Sequence, residues 1–159
     1  MPPVLQRRQY QIFIDRIPEA VFAFHTNLKN QARIDPPDQP EEIIGVPIHA
    51  IGEGSRVTFR LAVGTLYAEF VEWTPPYGYA LRQIEGPFTH WQHRRKFTLF
   101  QGGTLMTDQL EYGLPAGPLG LLIDKVYLGT QIDKLFNYRH AEAKRLIERI
   151  GRIKGRDAL

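Results

Sequence analysis

The residues best placed to do chemistry are polar side chains that share an inner sheet face with aromatic ones. The stretch from Gly86 to Gly120 reads GPFTHWQHRRKFTLFQGGTLMTDQLEYGLPAGPLG, two expected strands joined by a turn at Gly102-Gly103. Side chains alternate across a strand, so Trp91, His93, Arg95 and Phe97 share one face. His90, Gln92, Arg94 and Lys96 share the other, which is wholly polar and takes the solvent side. Beyond the turn, Met106, Asp108, Leu110 and Tyr112 form a face that is apolar except for Asp108. A carboxylate facing an imidazole and a guanidinium on adjacent inner faces has three uses. It can be a self-satisfied pair that fixes strand register, a polar anchor for one end of an apolar ligand, or a general acid/base pair. The alternation admits all three.

Other chemistries find little support. The chain has no cysteine, which excludes disulfides, thiolate nucleophiles and cysteine-ligated metals. The five histidines are His25, His49, His90, His93 and His140, and no pair has helical ligand spacing beside an acid. His90 and His93 fall on opposite strand faces, so neither a metal nor a cofactor is expected. Gly52-Glu53-Gly54 is followed by no lysine-serine pair and no helix, and reads as a turn. Ser55 is the only serine and sits on that turn without a nucleophile elbow, which removes serine hydrolases. Arg139, three residues after Phe136, is expected to point to solvent.

The elements that must hold the central residues follow from periodicity. Arg7–Ile14 alternates and reads as a first strand. Pro18-Glu19 opens a short helix ending near Asn27 to Asn30, and Lys29 to Asp35 supplies a second helical turn. After Pro36-Pro37, extended segments are expected at Glu41–Ile51 (irregular, with Gly45 and Pro47), Arg56–Val63, Leu66–Trp73 and Tyr79–Ile84, before the two strands described above. A helix runs from about Leu119 to Arg152, with Leu119, Leu122, Val126, Ile132, Leu135, Phe136, Ala143, Leu146, Ile147 and Ile150 spaced to form a packing face. Gly129, in mid-helix, marks a bend or a close approach by something bulky. Strands followed by one long helix make an α+β arrangement, a curved antiparallel sheet around the C-terminal helix.

At 159 residues the chain is expected to be a single domain spanning 1–159, large enough for one core and a cavity within it. The N-terminal MPPVLQRRQYQIF places prolines and arginines where a signal core would be apolar, and no apolar run approaches membrane-spanning length. A soluble, cytoplasmic protein is expected. The net charge of +3 is concentrated after Arg139. That basic end suits a solvated helix terminus and a transient touch on an anionic membrane surface, without stable insertion. No zinc-finger or helix-turn-helix signature is present, so no nucleic-acid partner is expected.

The same residues carry a resemblance. Trp73-Thr74-Pro75-Pro76, Gly86-Pro87-Phe88, Trp91-Gln92-His93, Phe97, Gly102-Gly103-Thr104, Asp108, Tyr112, Pro115, Gly117-Pro118-Leu119-Gly120 and Phe136-Asn137-Tyr138-Arg139 together resemble bacterial ligand-binding proteins of the START/Bet v 1-like superfamily, the SRPBCC or cyclase/dehydrase-like group. Pro18-Glu19-Ala20-Val21-Phe22 resembles its first helix. The resemblance implies a helix-grip fold: a curved seven-stranded antiparallel sheet around a long C-terminal helix, one or two short helices after strand 1, and a cavity for a hydrophobic small molecule or lipid. Where the group continues His-x-His after the tryptophan, this chain has Arg95, which favours an anchor for an anion or carbonyl.

The reading that follows is ligand binding rather than catalysis. The expected lining is Phe59, Leu61, Trp91, Phe97, Met106, Leu110, Tyr112, Leu122, Val126 and Phe136, with His93, Arg95 and Asp108 holding a polar head group. The alternative is a polyketide-type cyclase or dehydratase using His93 and Asp108 as acid and base.

Overall fold

A computed structural model describes residues 4–38, 42–45 and 50–157. Alternating strands and an amphipathic helix assemble as their patterns require. β1 (Leu5–Ile14) is followed by α1 (Pro18–Thr26), a 3-10 turn (Leu28–Asn30) and α2 (Gln31–Ile34). Pro18 and Glu19 occupy the first turn of α1, where a missing N–H and a negative charge are both tolerated. β2 (Glu42–Gly45), β3 (Arg56–Leu61), β4 (Gly64–Thr74), β5 (Gly78–Glu85), β6 (His90–Phe100) and β7 (Gly103–Gly113) complete the sheet. Of the extended segment expected over Glu41–Ile51, β2 covers Glu42–Gly45, residues 41 and 46–49 lie outside the described residues, and residues 50 and 51 belong to no strand.

The seven strands lie in the order β1-β7-β6-β5-β4-β3-β2, and every pairing is antiparallel. The ladder slips one residue at Tyr67/Ala68 and again between Phe70 and Glu72. Bulges of this kind bend and twist a sheet. The β6–β7 turn is centred on Gln101-Gly102, one residue earlier than expected. Both have positive φ, 48° and 79°, the geometry of a two-residue hairpin loop. Gly103 is then the first residue of β7, where an added Cβ would lie 2.6 Å from the Ile14 carbonyl oxygen. The slip leaves the faces unchanged: Phe97 pairs with Met106, Arg95 with Asp108, His93 with Leu110 and Trp91 with Tyr112.

The concave face is covered by helix. The chain is helical from α3 (Gly117–Ile123) through a π-helical turn (Asp124–Leu128) into α4 (Gly129–Asp157). Phe136, Ala143, Leu146 and Ile147 of α4 are buried against the sheet. Two apolar clusters result. The larger centres on Phe70, Phe97, Tyr79, Met106 and Val21, the smaller on Leu110, Tyr112 and Phe136, and Trp91 packs on both.

The π turn overturns one expectation. Counting back from Phe136 at helical spacing places Val126 and Leu122 inward. Instead Leu122 is 57 % and Val126 71 % exposed, and Leu119 also faces out. The cause is the extra residue in the π turn, where the Gly129 N–H bonds to the Asp124 carbonyl. One added residue rotates everything before it by about 100°. Asp124 takes the inner position instead, buried where the Tyr112 hydroxyl donates to it and Arg8 Nη2 lies 3.5 Å away. Gly129 is where the bulky group approaches: an added Cβ would fall 2.0 Å from Arg8 Nη2.

Candidate functional site

Midway along β7, the alternation that turns Met106 and Leu110 inward also turns Asp108 inward, and it is fully buried. An isolated carboxylate there would cost far more than folding can supply, so its partners decide the site. Arg95 is directly opposite on β6. Its Nε–H donates to Asp108 Oδ1 (2.6 Å) and an Nη2–H to Oδ2 (2.9 Å), a two-pronged charge-assisted pair. The two histidines add one bond to each oxygen. His93 Nε2 lies 2.6 Å from Oδ1, and His140 Nε2, arriving from α4, lies 2.6 Å from Oδ2. Because the carboxylate only accepts, both imidazoles carry their proton on Nε2 in these bonds.

Arg95 is also fully engaged. Its Nη1 donates to the Tyr79 hydroxyl (3.2 Å) and to Nδ1 of His25 (2.8 Å), which enters from the last turn of α1. The expected role of Arg95 as a direct head-group anchor is therefore corrected: all three of its nitrogens bond to other protein groups. Burial pushes the Asp108 carboxyl up, but the Arg95 guanidinium, with His93 and His140, outweighs it and holds the carboxyl well below the usual carboxylate range. Burial also works against the Arg95 charge, and Asp108 overrides it, so Arg95 stays charged.

His25 differs from the rest. It is 8 % exposed, with its ring stacked on Phe97 and edge-on to Phe24. Burial, reinforced by the Arg95 charge, holds its pKa well below the ordinary value, so the ring is neutral. With Nδ1 accepting from Arg95, the remaining proton sits on Nε2. That Nε2 is buried and has no hydrogen-bond partner among the described residues. A buried donor left unpaired costs about 1–3 kcal/mol, which makes it the place in the cluster where an acceptor would be bound most profitably. His93 supplies a complementary group. Burial lowers its pKa against the pull of Asp108, its side chain stays 12 % exposed, and no described residue bonds to its Nδ1.

Exposure along the inner face of β6 rises in one direction. Phe97 and Arg95 are buried, the His93 side chain keeps a small opening, and Trp91 is half-buried. Leu61, at the corresponding end of β3, is half-buried as well. The concave face is thus most open at the end holding the β5–β6 turn. Two surface recesses lie elsewhere. One of about 390 Å³ is on the outer sheet face beside Arg7, Gln92, Arg94 and Glu111. The other, about 260 Å³, is beside Asp15, Arg16, Glu148 and Arg152.

Of the lining expected from the sequence, Phe59, Phe97, Met106, Leu110, Tyr112 and Phe136 are buried in the two clusters, and Leu61 and Trp91 sit at their open edge. Leu122 and Val126 are on the outside. Arg139, expected in solvent, is buried, with Nε donating to Asp35 Oδ1 at 2.7 Å. Sequence reasoning missed His25, Tyr79 and His140. The signals were present: His25 is four residues after Val21 and His140 four after Phe136, each on the helix face that packs inward. Among the described residues no group of three potential ligands could hold a metal ion.

No protein-family model and no curated protein sequence matches the chain. Solved structures do. Norcoclaurine synthase from Thalictrum flavum, a point mutant in complex with a transition-state analogue, superposes with a TM-score of 0.67 at 12% identity, covering 92% of this chain and 96% of that one. TTHA0849 from Thermus thermophilus gives 0.69 at 17% identity over 89% and 97%. The di-domain aromatase/cyclase StfQ of the steffimycin biosynthetic pathway gives 0.69 at 13% identity, over 93% of this chain and 52% of its own length. At these identities the likeness is one of fold.

Proposed function

We propose that this chain, which has the Bet v 1-like helix-grip fold, binds an apolar small molecule carrying an acceptor oxygen, held between the concave sheet face and α4. The observation that carries the reading is the unpartnered His25 Nε2–H in a cluster whose other described groups are bonded to one another. Arg95 and Asp108 neutralise each other, and their part is to orient the imidazoles rather than to touch ligand. A carbonyl, ether or hydroxyl oxygen would complete the bonding of His25, while Trp91, Leu61 and Phe136 meet the apolar body. The fold supports the reading: among its structural neighbours are a synthase bound to a transition-state analogue and an aromatase/cyclase. The described interior is closely packed around His25, so uptake involves outward movement of side chains at the open end near Trp91.

Native mass spectrometry of the protein as purified from bacteria tests the reading. A co-purifying apolar molecule, released on denaturation and present in substoichiometric or full amount, is the expected result. Repeated recovery of the bare polypeptide mass counts against it.

The 2.6 Å contact between His93 and Asp108 favours a second reading, in which His93 Nδ1 is a general base and Asp108 holds its tautomer. That reading requires turnover of a polyketide-like substrate that disappears in His93→Gln with binding retained.

A further inference from the structure

The far half of α4 carries a row of arginines. Arg145, Arg149, Arg152 and Arg156 follow one another at four-, three- and four-residue steps, so they share one side of the helix over about 16 Å. That side lies opposite the one that packs: Ala143, Leu146 and Ile147 are buried, while Arg145, Arg149 and Arg152 are exposed. The charge is concentrated as well as ordered. Residues 144–156 hold six Lys or Arg and one acid, Glu148; the rest of the chain holds fourteen against sixteen, so the positive excess lies here. The acids beside the row are engaged. Glu148 accepts from Lys144 Nζ (2.6 Å) and from the Asp15 N–H (2.9 Å), and Glu142 pairs with Arg145 (2.7 Å). Arg149 and Arg152 make no hydrogen bond or ion pair with a described residue, Arg152 acting on Glu148 only at longer range. A further guanidinium joins from the β1–α1 connection, and Gly151 leaves room for it: an added Cβ would lie 1.4 Å from Arg16 Nη1. Arg16 and Arg152 border the same recess, whose acids are Glu148 and the exposed Asp15.

We infer that this side of α4 docks on an anionic lipid surface. A guanidinium fork takes phosphate oxygens two at a time, and each basic side chain near an anionic surface adds attraction. Apolar side chains border the cations. Ile153, four residues after Arg149, is 51 % exposed, and Ile17, next to Arg16, is 52 % exposed. Such side chains beside a basic row can enter the boundary between head groups and acyl chains. The phosphate backbone of a nucleic acid offers them no apolar surface. A second copy fits less well, because a two-fold contact would set arginine against arginine. No helix of the described residues is long and apolar enough to cross a membrane, so the contact is interfacial. The inference stands independently of ligand binding, since the row faces away from the concave side of the sheet.

Vesicle flotation with the full chain tests it, comparing phosphatidylcholine alone with an equal mixture of phosphatidylcholine and phosphatidylglycerol. Wild type is expected to float with the mixed vesicles and not with the neutral ones, and less as salt rises. Arg149→Glu/Arg152→Glu should weaken partitioning roughly tenfold or more. Arg149→Gln/Arg152→Gln, which removes the charges without adding acids, should fall between that variant and wild type. Arg82→Glu/Lys96→Glu makes the same change in net charge at exposed positions of the outer sheet face and should float far better than Arg149→Glu/Arg152→Glu. Failure of wild type to float, or undiminished flotation of both α4 variants, overturns the inference. So does an equal loss in Arg82→Glu/Lys96→Glu, which would trace the attraction to net charge alone. Binding of a short DNA duplex without any response to vesicles also overturns it, since the row would then serve nucleic acid.

Discussion

Asp108→Ala is expected to destabilise the protein by about 3–5 kcal/mol, the cost of leaving a buried partner charge uncompensated. Arg95 is 5 % exposed, and both of its bonds to a carboxylate are to Asp108. The substitution also strips the acceptor from His93 and His140, loosening three elements at once: β6, β7 and α4. Loss on this scale is a large part of the net stability of a domain this size. Arg95→Met, which removes the other charge, leaves a buried carboxylate that keeps its hydrogen bonds from His93 and His140, and should cost less than Asp108→Ala. Urea unfolding of both variants reads the difference. A loss below about 1 kcal/mol for Asp108→Ala would mean that Asp108 does not tie β6, β7 and α4 together as described.

The second large effect is on pH. His25 and His93 are both held below their ordinary value of 6.5, by burial first and by the Arg95 charge as well. Unfolded, each takes up a proton as the pH falls through about 6.5; folded, each resists. The unfolded state then binds more protons, and stability is present above that pH and lost below it. Each fully resisted proton costs about 1.4 kcal/mol per pH unit. His25 therefore contributes a loss of stability as the pH falls below about 6.5, and His93 adds to it in the same direction. Asp108, held below its ordinary 3.8, contributes stability that survives to lower pH and is lost only beneath that value. Denaturation midpoints measured from about pH 7.5 to about pH 5 should fall steadily in wild type and less steeply in His25→Phe. Midpoints that stay level over this range would contradict the neutral, buried imidazoles.

How much of this is legible in the sequence depends on the element. Strand alternation places His93, Arg95 and Asp108 on one inner surface, and a one-residue error at Gln101-Gly102 does no harm because it leaves the pairing faces intact. The short helix opened by Pro18-Glu19 and the long C-terminal helix are also readable from capping chemistry and period. The π turn is not. Gly129 marks a bend or a close approach there but not an added residue, so a 3.6-residue count carries through Asp124–Leu128 and puts Leu122 and Val126 on the wrong side. What fixes that turn is a contact across the fold, Arg8 and Tyr112 on Asp124, which no local pattern contains. The same holds for the site. His25 lies on the buried face of its helix, but its meaning comes from Arg95, 70 residues away in the chain. The charge of Arg95 is plain in the sequence and suggests an anchor, whereas its neutralisation by Asp108 is a matter of register. Arg139 misleads for the same reason, its partner Asp35 lying 104 residues earlier.

The central claim is that an apolar ligand is taken up with its oxygen on His25 Nε2–H. Paired titrations with 9-fluorenone and fluorene, alike in shape and differing in one carbonyl, test it directly through tryptophan fluorescence. A hydrogen bond to a buried neutral donor is worth about 1 kcal/mol, so the ketone should bind wild type roughly five- to tenfold more tightly. In His25→Phe the two should bind alike. Equal affinities in wild type, a preference that survives the substitution, or no saturable binding of either compound would contradict the account.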